Sequence, residues 1–242
     1  MFLLIPICAM AVILGVYVPL RVTGKKRASL IMKTLISVVF IFFALLSLAF
    51  YYGNGITLSG SSLFFILFTV AGLVFGLLGD VWLDLKDHHL ESRPFYMYCG
   101  FSSFMIGHLI FMTGLLLCFA PGLQTMLLAA AIGAVATTVI ALLEKPLKLD
   151  YGSYRAISLT YAFVLSTTVA LPLLMAFTCD GLNLPRLIFG AGMVMFILSD
   201  LVLSGIYFGT SGKKPKPAAF FLNYLFYYGA QFTIAGSLYF LS

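Results

Sequence analysis

The chain has 242 residues, of which 62% are hydrophobic and 9% charged, with a formal net charge of +6 and a mean hydropathy of +1.10. An ordinary soluble domain carries about 25% charged residues, so this composition excludes a soluble globular protein and points to an integral membrane protein. The apolar runs are about twenty residues long and lack period-two alternation, which excludes an outer-membrane barrel and leaves helices as the spanning elements.

Eight such runs follow in chain order, at about 2–20, 28–50, 61–85, 97–119, 122–143, 154–178, 186–208 and 218–241. The links between them are short and hold turn formers: Thr23-Gly24, Gly53-Asn54-Gly55, Pro121-Gly122, Asp180-Gly181 and Lys213-Lys214-Pro215. The expected fold is therefore all-α, a polytopic bundle of eight transmembrane helices forming a single transmembrane domain over 1–242. The first run has its positive charge behind it and no clear small-x-small cleavage site, so it reads as a retained helix and not a signal peptide.

With eight spans, the odd-numbered links hold thirteen basic residues, namely Arg21, Lys25, Lys26, Arg27, Lys33, Lys86, Arg93, Lys145, Lys148, Arg155, Lys213, Lys214 and Lys216; the even-numbered links hold Arg186 alone. The positive-inside rule then makes the odd links cytoplasmic and puts both termini on the opposite side. The positive charge serves topology and attraction to anionic headgroups, and no aromatic-interleaved basic tract suggests nucleic acid. Cys8, Cys99, Cys118 and Cys179 lack CxxC spacing and read as packing residues, without a disulfide framework or thiolate metal site.

Leu78-Gly79-Asp80-Val81-Trp82-Leu83 on the third run parallels Leu198-Ser199-Asp200-Leu201-Val202-Leu203 on the seventh, and Gly107-His108 echoes Gly229-Ala230. Both echoes are consistent with a duplicated four-helix unit. Of eight acidic residues, Asp80 and Asp200 sit clearly within spans. Each costs about 2.5 to 3.5 kcal/mol near a helix centre unless a partner, water or a proton relieves it. Two retained at matched depth point to function more than to a structural hydrogen bond.

Counting about 1.5 Å per residue from the cytoplasmic end, Lys33, Asp80, His108, Tyr161, Asp200, Asn223, Tyr227, Tyr228 and Gln231 form one band roughly 7 to 20 Å deep. Such convergence implies a pocket opening toward the cytoplasmic leaflet. On position alone Lys33 is expected to snorkel to headgroups, and Asp84, one turn after Asp80, to end its helix in water. With His88 and His89 in a charged link and His108 elsewhere, ligands are short for a three-histidine zinc site. There is no Gly-x-Ser-x-Gly elbow and no phosphate loop.

Taken in order, Gly79-Asp80 with Leu83, Gly107-His108, Phe196 to Ser199-Asp200, and Tyr227-Tyr228-x-Ala230-Gln231 resemble the YhhN-like lysoplasmalogenase family. Lys33 and Tyr161 fall where that family also tends to carry Lys and Tyr. Thr34 stands where it often has Pro, and Asp84 is not required by its pattern. The resemblance implies hydrolysis of the vinyl-ether bond of a lysophospholipid, releasing a fatty aldehyde and a glycerophospho-base without an organic cofactor; no residue is assigned to a metal. It implies Asp80 and Asp200 as the catalytic acid and base. Lys33, His108, Tyr161, Asn223, Tyr227, Tyr228 and Gln231 are the expected substrate-binding or orienting residues, with Lys33, Arg27 or Arg93 as phosphate partners. A bacterial cytoplasmic membrane and the endoplasmic reticulum both fit. The alternatives are a proton-coupled transporter and a non-catalytic lipid-binding protein; the sequence sets no oligomeric state.

Overall fold

The computed structural model describes residues 4–178, 184–210, 212 and 214–241. Cys179, Asp180 and Lys213 lie outside the described residues. Eight long helices follow the apolar runs: α1 Leu4–Val22, α2 Lys26–Gly53, α3 Gly60–Leu85, α4 Arg93–Phe119, α5 Leu123–Leu143, α6 Arg155–Thr178, α7 Leu184–Phe208 and α8 Pro217–Ser237. Local chemistry sets their ends. Ser59 caps α3 by accepting from the Ser62 amide at 3.1 Å. Pro94 and Pro217 occupy the first turns of α4 and α8, where a missing N–H costs nothing. The tight link between α4 and α5 turns on Ala120, left-handed at φ 39°, followed by Pro121.

Seven of these helices, α1 to α7 (the sixth counted from Gly152), are long and apolar enough to cross a membrane. The expected eighth span, α8, has the length, at 21 residues, but is less apolar because Asn223, Tyr224, Tyr227, Tyr228 and Gln231 interrupt it. Packing against the other helices accounts for the composition. Those five side chains are all buried, together with Ala230, Phe232, Ile234 and Ala235, so α8 faces protein around most of its circumference. By contrast, the large apolar side chains of α5, including Leu127, Val135 and Leu142, are exposed as a lipid-facing surface requires.

The packing repeats between the two halves. α3 pairs most extensively with α4 and α7 with α8; α2 packs on α3 as α6 packs on α7; and the halves join through α4 against α6 and α8 against α2. The first helix of each half, α1 and α5, is peripheral, with the smallest buried shares among the spans. This arrangement agrees with a duplicated four-helix unit, except that α5 packs far more extensively on α6 than α1 does on α2, and it brings Asp80 of α3 and Asp200 of α7 to one cavity.

Small residues allow the close approach. A Cβ on Gly107 of α4 would stand 3.0 Å from the Gly72 carbonyl oxygen and 3.3 Å from the Phe75 Cβ of α3. In α1 the backbone widens to a π-helical turn at Ile13–Tyr17, where Tyr17 is fully buried against Tyr224 of α8 with ring centroids 4.8 Å apart. The same helix then delivers Arg21 to the end of α3. Between α5 and α6, the link lies against the end of α7 through an isolated antiparallel bridge, Leu149 to Gly209.

Candidate active site

Asp80 stands on the buried face of α3, 2% exposed. Its Oδ2 accepts hydrogen bonds from the Ser37 hydroxyl of α2 and the Tyr227 hydroxyl of α8, each at 2.8 Å. Its Oδ1 lies 3.1 Å from the Lys33 ammonium. One cation and two hydroxyl donors therefore compensate its charge, and Oδ1 keeps lone-pair capacity on the side away from Lys33. Gln231 holds Tyr227 in place by donating to its oxygen at 3.0 Å. That donation needs room, and Gly76 provides it: a Cβ there would lie 3.1 Å from Gln231 Nε2.

Asp200 on α7 has different surroundings. Its Oδ2 accepts a short hydrogen bond from the Tyr161 hydroxyl of α6, and among the described residues no cation pairs with it. The Tyr161 oxygen in turn lies 3.4 Å from His108 Nε2. Because the hydroxyl proton of Tyr161 is committed to Asp200, the network assigns a ring proton of His108 to Nε2. His108 is itself buried edge-on against Phe196, with centroids 4.7 Å apart.

Both aspartates border one cavity of about 90 Å³, large enough for several waters. Its polar wall includes Lys33, Tyr161, Asn223, Tyr224 and Tyr227, and its apolar wall includes Leu83, Phe101, Phe104, Leu165 and Ile197. Leu201, which also borders it, is half exposed on α7. At the end that carries the basic links, Tyr151 and Phe208 close over it, packed on each other and against Leu83 and Met97.

That end is held by an ion-pair network. Lys33 meets Asp84 at 3.4 Å as well as Asp80; Arg21 lies 3.7 Å from Asp84 and 2.7 Å from Asp87; and Lys26 donates to the Asp87 carbonyl at 2.7 Å. Lys86, fully buried, donates to the Leu83 carbonyl at 2.9 Å and sits 4.1 Å from the centre of the Tyr207 ring. Burial pushes the Asp87 carboxyl up, but Lys86 and Arg21 outweigh it and hold it below its ordinary value.

Several expectations change. Asp84 does not end α3 in water: it is 2% exposed and bridges Lys33 to Arg21, which reaches it from the end of α1. Lys33 does not snorkel; two carboxylates face it at the depth of the cavity. This leaves it little charge to offer a phosphate. Arg27 and Arg93 are exposed, away from the cavity wall. Of the adjacent tyrosines, Tyr227 binds Asp80, whereas Tyr228 bonds neither aspartate and packs its ring against Tyr17 and Tyr224. Asn223 borders the cavity but clasps α8 to α7, donating to the Ser199 carbonyl at 3.0 Å and hydroxyl at 2.9 Å. His108 reaches Asp200 only through Tyr161.

Residues that sequence reading passed over complete the site: Ser37, Tyr224, Ser158, Ser204, Tyr207 and Tyr151. Spacing carried a signal for four of them: Ser204 lies one turn after Asp200, Tyr224 one turn before Tyr227, and the other two follow the same rule. Ser37 lies one turn after Lys33 and Ser158 one turn before Tyr161, each on the same helix face as its partner.

Fold and site together define a polytopic helical membrane protein with two differently paired carboxylates on one intramembrane cavity. The family model described as the YhhN family matches residues 28–238, so the chain belongs to that family. Comparison with curated proteins and with solved structures returns no match.

Proposed function

We propose that this protein is a lysoplasmalogenase-like hydrolase that cleaves the vinyl-ether bond of a lysophospholipid drawn from the bilayer. The observation that carries the reading is the contrast between two carboxylates on one cavity wall: Asp80 compensated by Lys33, Ser37 and Tyr227, and Asp200 held by the Tyr161 hydroxyl. Membership of the YhhN family supports it.

A vinyl ether is cleaved by protonation at its β-carbon, which needs one acid and one anion. Asp200, without a paired cation among the described residues, is the group able to stay neutral in this setting and give its proton to that carbon. The double bond becomes an oxocarbenium ion, and ionised Asp80 stabilises it across the cavity. Water adds to the cationic carbon and yields its proton to Asp80 Oδ1. The hemiacetal then collapses: the carbon–oxygen bond to glycerol breaks, that oxygen gains a proton, and the hydroxyl loses its own to leave the aldehyde. Transfer of the proton from Asp80 back to Asp200 through cavity water restores the starting state. The apolar wall receives the hydrocarbon chain.

Mass spectrometry of products from a panel of vinyl-ether, alkyl-ether and acyl lysolipids tests the reading. The expected products are an aldehyde and a glycerophospho-base from the vinyl-ether lipid, with the alkyl ether untouched. Release of fatty acid from the acyl lysolipid without aldehyde from the vinyl ether refutes it.

A further inference from the structure

Several hydroxyls within the spanning helices fold back onto the preceding turn: Thr34 donates to the Leu30 carbonyl at 2.9 Å, Thr113 to Leu109 at 2.8 Å, Thr137 to Gly133 at 2.8 Å and Thr168 to Val164 at 2.7 Å. Ser158 on α6 does not. It is 8% exposed, and its Oγ has no partner. Of the described buried hydroxyls in that position, which also include those of Ser29, Ser166 and Thr167, that of Ser158 alone borders the main cavity.

The same wall carries the neutral hydroxyls of Ser204 and Tyr151, and Lys33, the cation that lines it among the described residues, is committed to Asp80 and Asp84. Ser204 lies one turn beyond Asp200 on α7, and the Tyr151 hydroxyl stands beside Ser204. A buried, uncharged hydroxyl set suits a neutral hydroxyl on a ligand; a phosphate would demand a cation.

We propose that Ser158 forms a hydroxyl-binding subsite for the free glycerol hydroxyl of a single-chain lysolipid. The inference rests on the reading of Asp80 and Asp200 as the reacting pair, and it adds the feature by which the site selects a lysolipid. Ser158 precedes Tyr161 by three residues, which sets it about 4.5 Å along the helix axis toward the basic end. In a lysolipid the free hydroxyl sits on the second carbon from the ether oxygen, on the headgroup side. With the vinyl ether at Tyr161 and Asp200, and the headgroup directed toward the interface, that hydroxyl falls at the level of Ser158. There it donates to the Ser158 Oγ or accepts from it. A lipid acylated at this carbon has no donor to offer and brings a second chain against the wall.

The test uses a saturated 1-O-alkyl lysophosphatidylethanolamine, which lacks the vinyl bond, and its 2-deoxy counterpart. Binding of each to the full-length protein in detergent is measured by native mass spectrometry. The wild type is expected to prefer the hydroxyl-bearing lipid roughly tenfold, and Ser158→Ala to bind the two equally. The melting temperature of Ser158→Ala should equal or exceed that of the wild type, since the change removes a hydroxyl with no protein partner. Equal binding of both lipids by the wild type, binding of neither, a preference that survives Ser158→Ala, or a clear fall in melting temperature overturns the proposal. Aldehyde release from the matching vinyl-ether lipid is read separately. A preference for the hydroxyl without aldehyde release would overturn the reaction and leave the subsite standing.

Discussion

Replacing Lys33 by Met removes the ammonium shared by Asp80, at 3.1 Å, and Asp84, at 3.4 Å, while keeping an unbranched apolar stem. At an effective dielectric constant of about 20, each contact represents a gross attraction of about 5 kcal/mol. The desolvation of a fully packed ammonium offsets much of that sum. What remains in the variant is a pair of buried carboxylates one helical turn apart, about 6 Å, whose repulsion on the same scale is about 3 kcal/mol. Arg21 still reaches Asp84, at 3.7 Å, so Asp80 is the group left without a cation. Uptake of a proton sets a ceiling, because neutralising an ordinary carboxylate at pH 7 costs about 4 kcal/mol. The expected loss of stability for Lys33→Met is therefore about 3 to 4 kcal/mol, within the range seen when one partner of a buried ion pair is removed. Denaturant or thermal unfolding in detergent measures it. The double variant Lys33→Met with Asp80→Asn should recover part of the loss, since no unpaired charge is left behind. A loss below about 1 kcal/mol for Lys33→Met, or full additivity in the double variant, would refute the reasoning.

Tyr161→Phe deletes the donor to Asp200; a lost hydrogen bond of this kind is worth about 1 to 3 kcal/mol, so kcat should fall roughly five- to hundredfold with KM little changed. An unchanged kcat would separate Tyr161 from the reaction. Gly107→Ala sets a Cβ 3.0 Å from the Gly72 carbonyl and should cost about 1 to 3 kcal/mol in unfolding by splaying α3 from α4; a neutral effect would mean that the helices can part without cost. The Asp87 carboxyl is held below its ordinary value in the folded protein, so its contribution to stability is present above the unfolded value, about pH 4, and is lost as pH falls through the lower folded one. The melting difference between wild type and Asp87→Asn should be flat from neutral pH down to about pH 4 and shrink below it; a difference that grows on acidification contradicts the ion pairs drawn for Arg21 and Lys86.

The helices were legible in the sequence because a hydrocarbon slab demands about twenty apolar residues whatever the neighbours are. The last helix, α8, departs from that rule for a reason that only packing supplies: its polar residues face other helices, so its hydropathy understates its place in the bundle. Asp80 and Asp200 stood out because an intramembrane carboxylate is costly wherever it points. Asp84 was not legible, since one turn from a helix end is compatible with either water or protein, and the arrival of Arg21 from α1 decides between them. The choice between Tyr227 and Tyr228 was equally closed to inspection: adjacent residues on a helix point about 100° apart, and the direction of the site is fixed by α3. Ser158 is an ordinary helical serine in sequence, and becomes informative only when its hydroxyl is found facing the cavity without a partner.

The most direct measurement is aldehyde release from a purified lysoplasmalogen by the wild-type protein and by the Asp80→Asn and Asp200→Asn variants, each shown to be folded by its melting curve. Catalysis by this pair predicts release by the wild type and a loss of at least about 100-fold in either variant. Wild-type rates in both variants would contradict it.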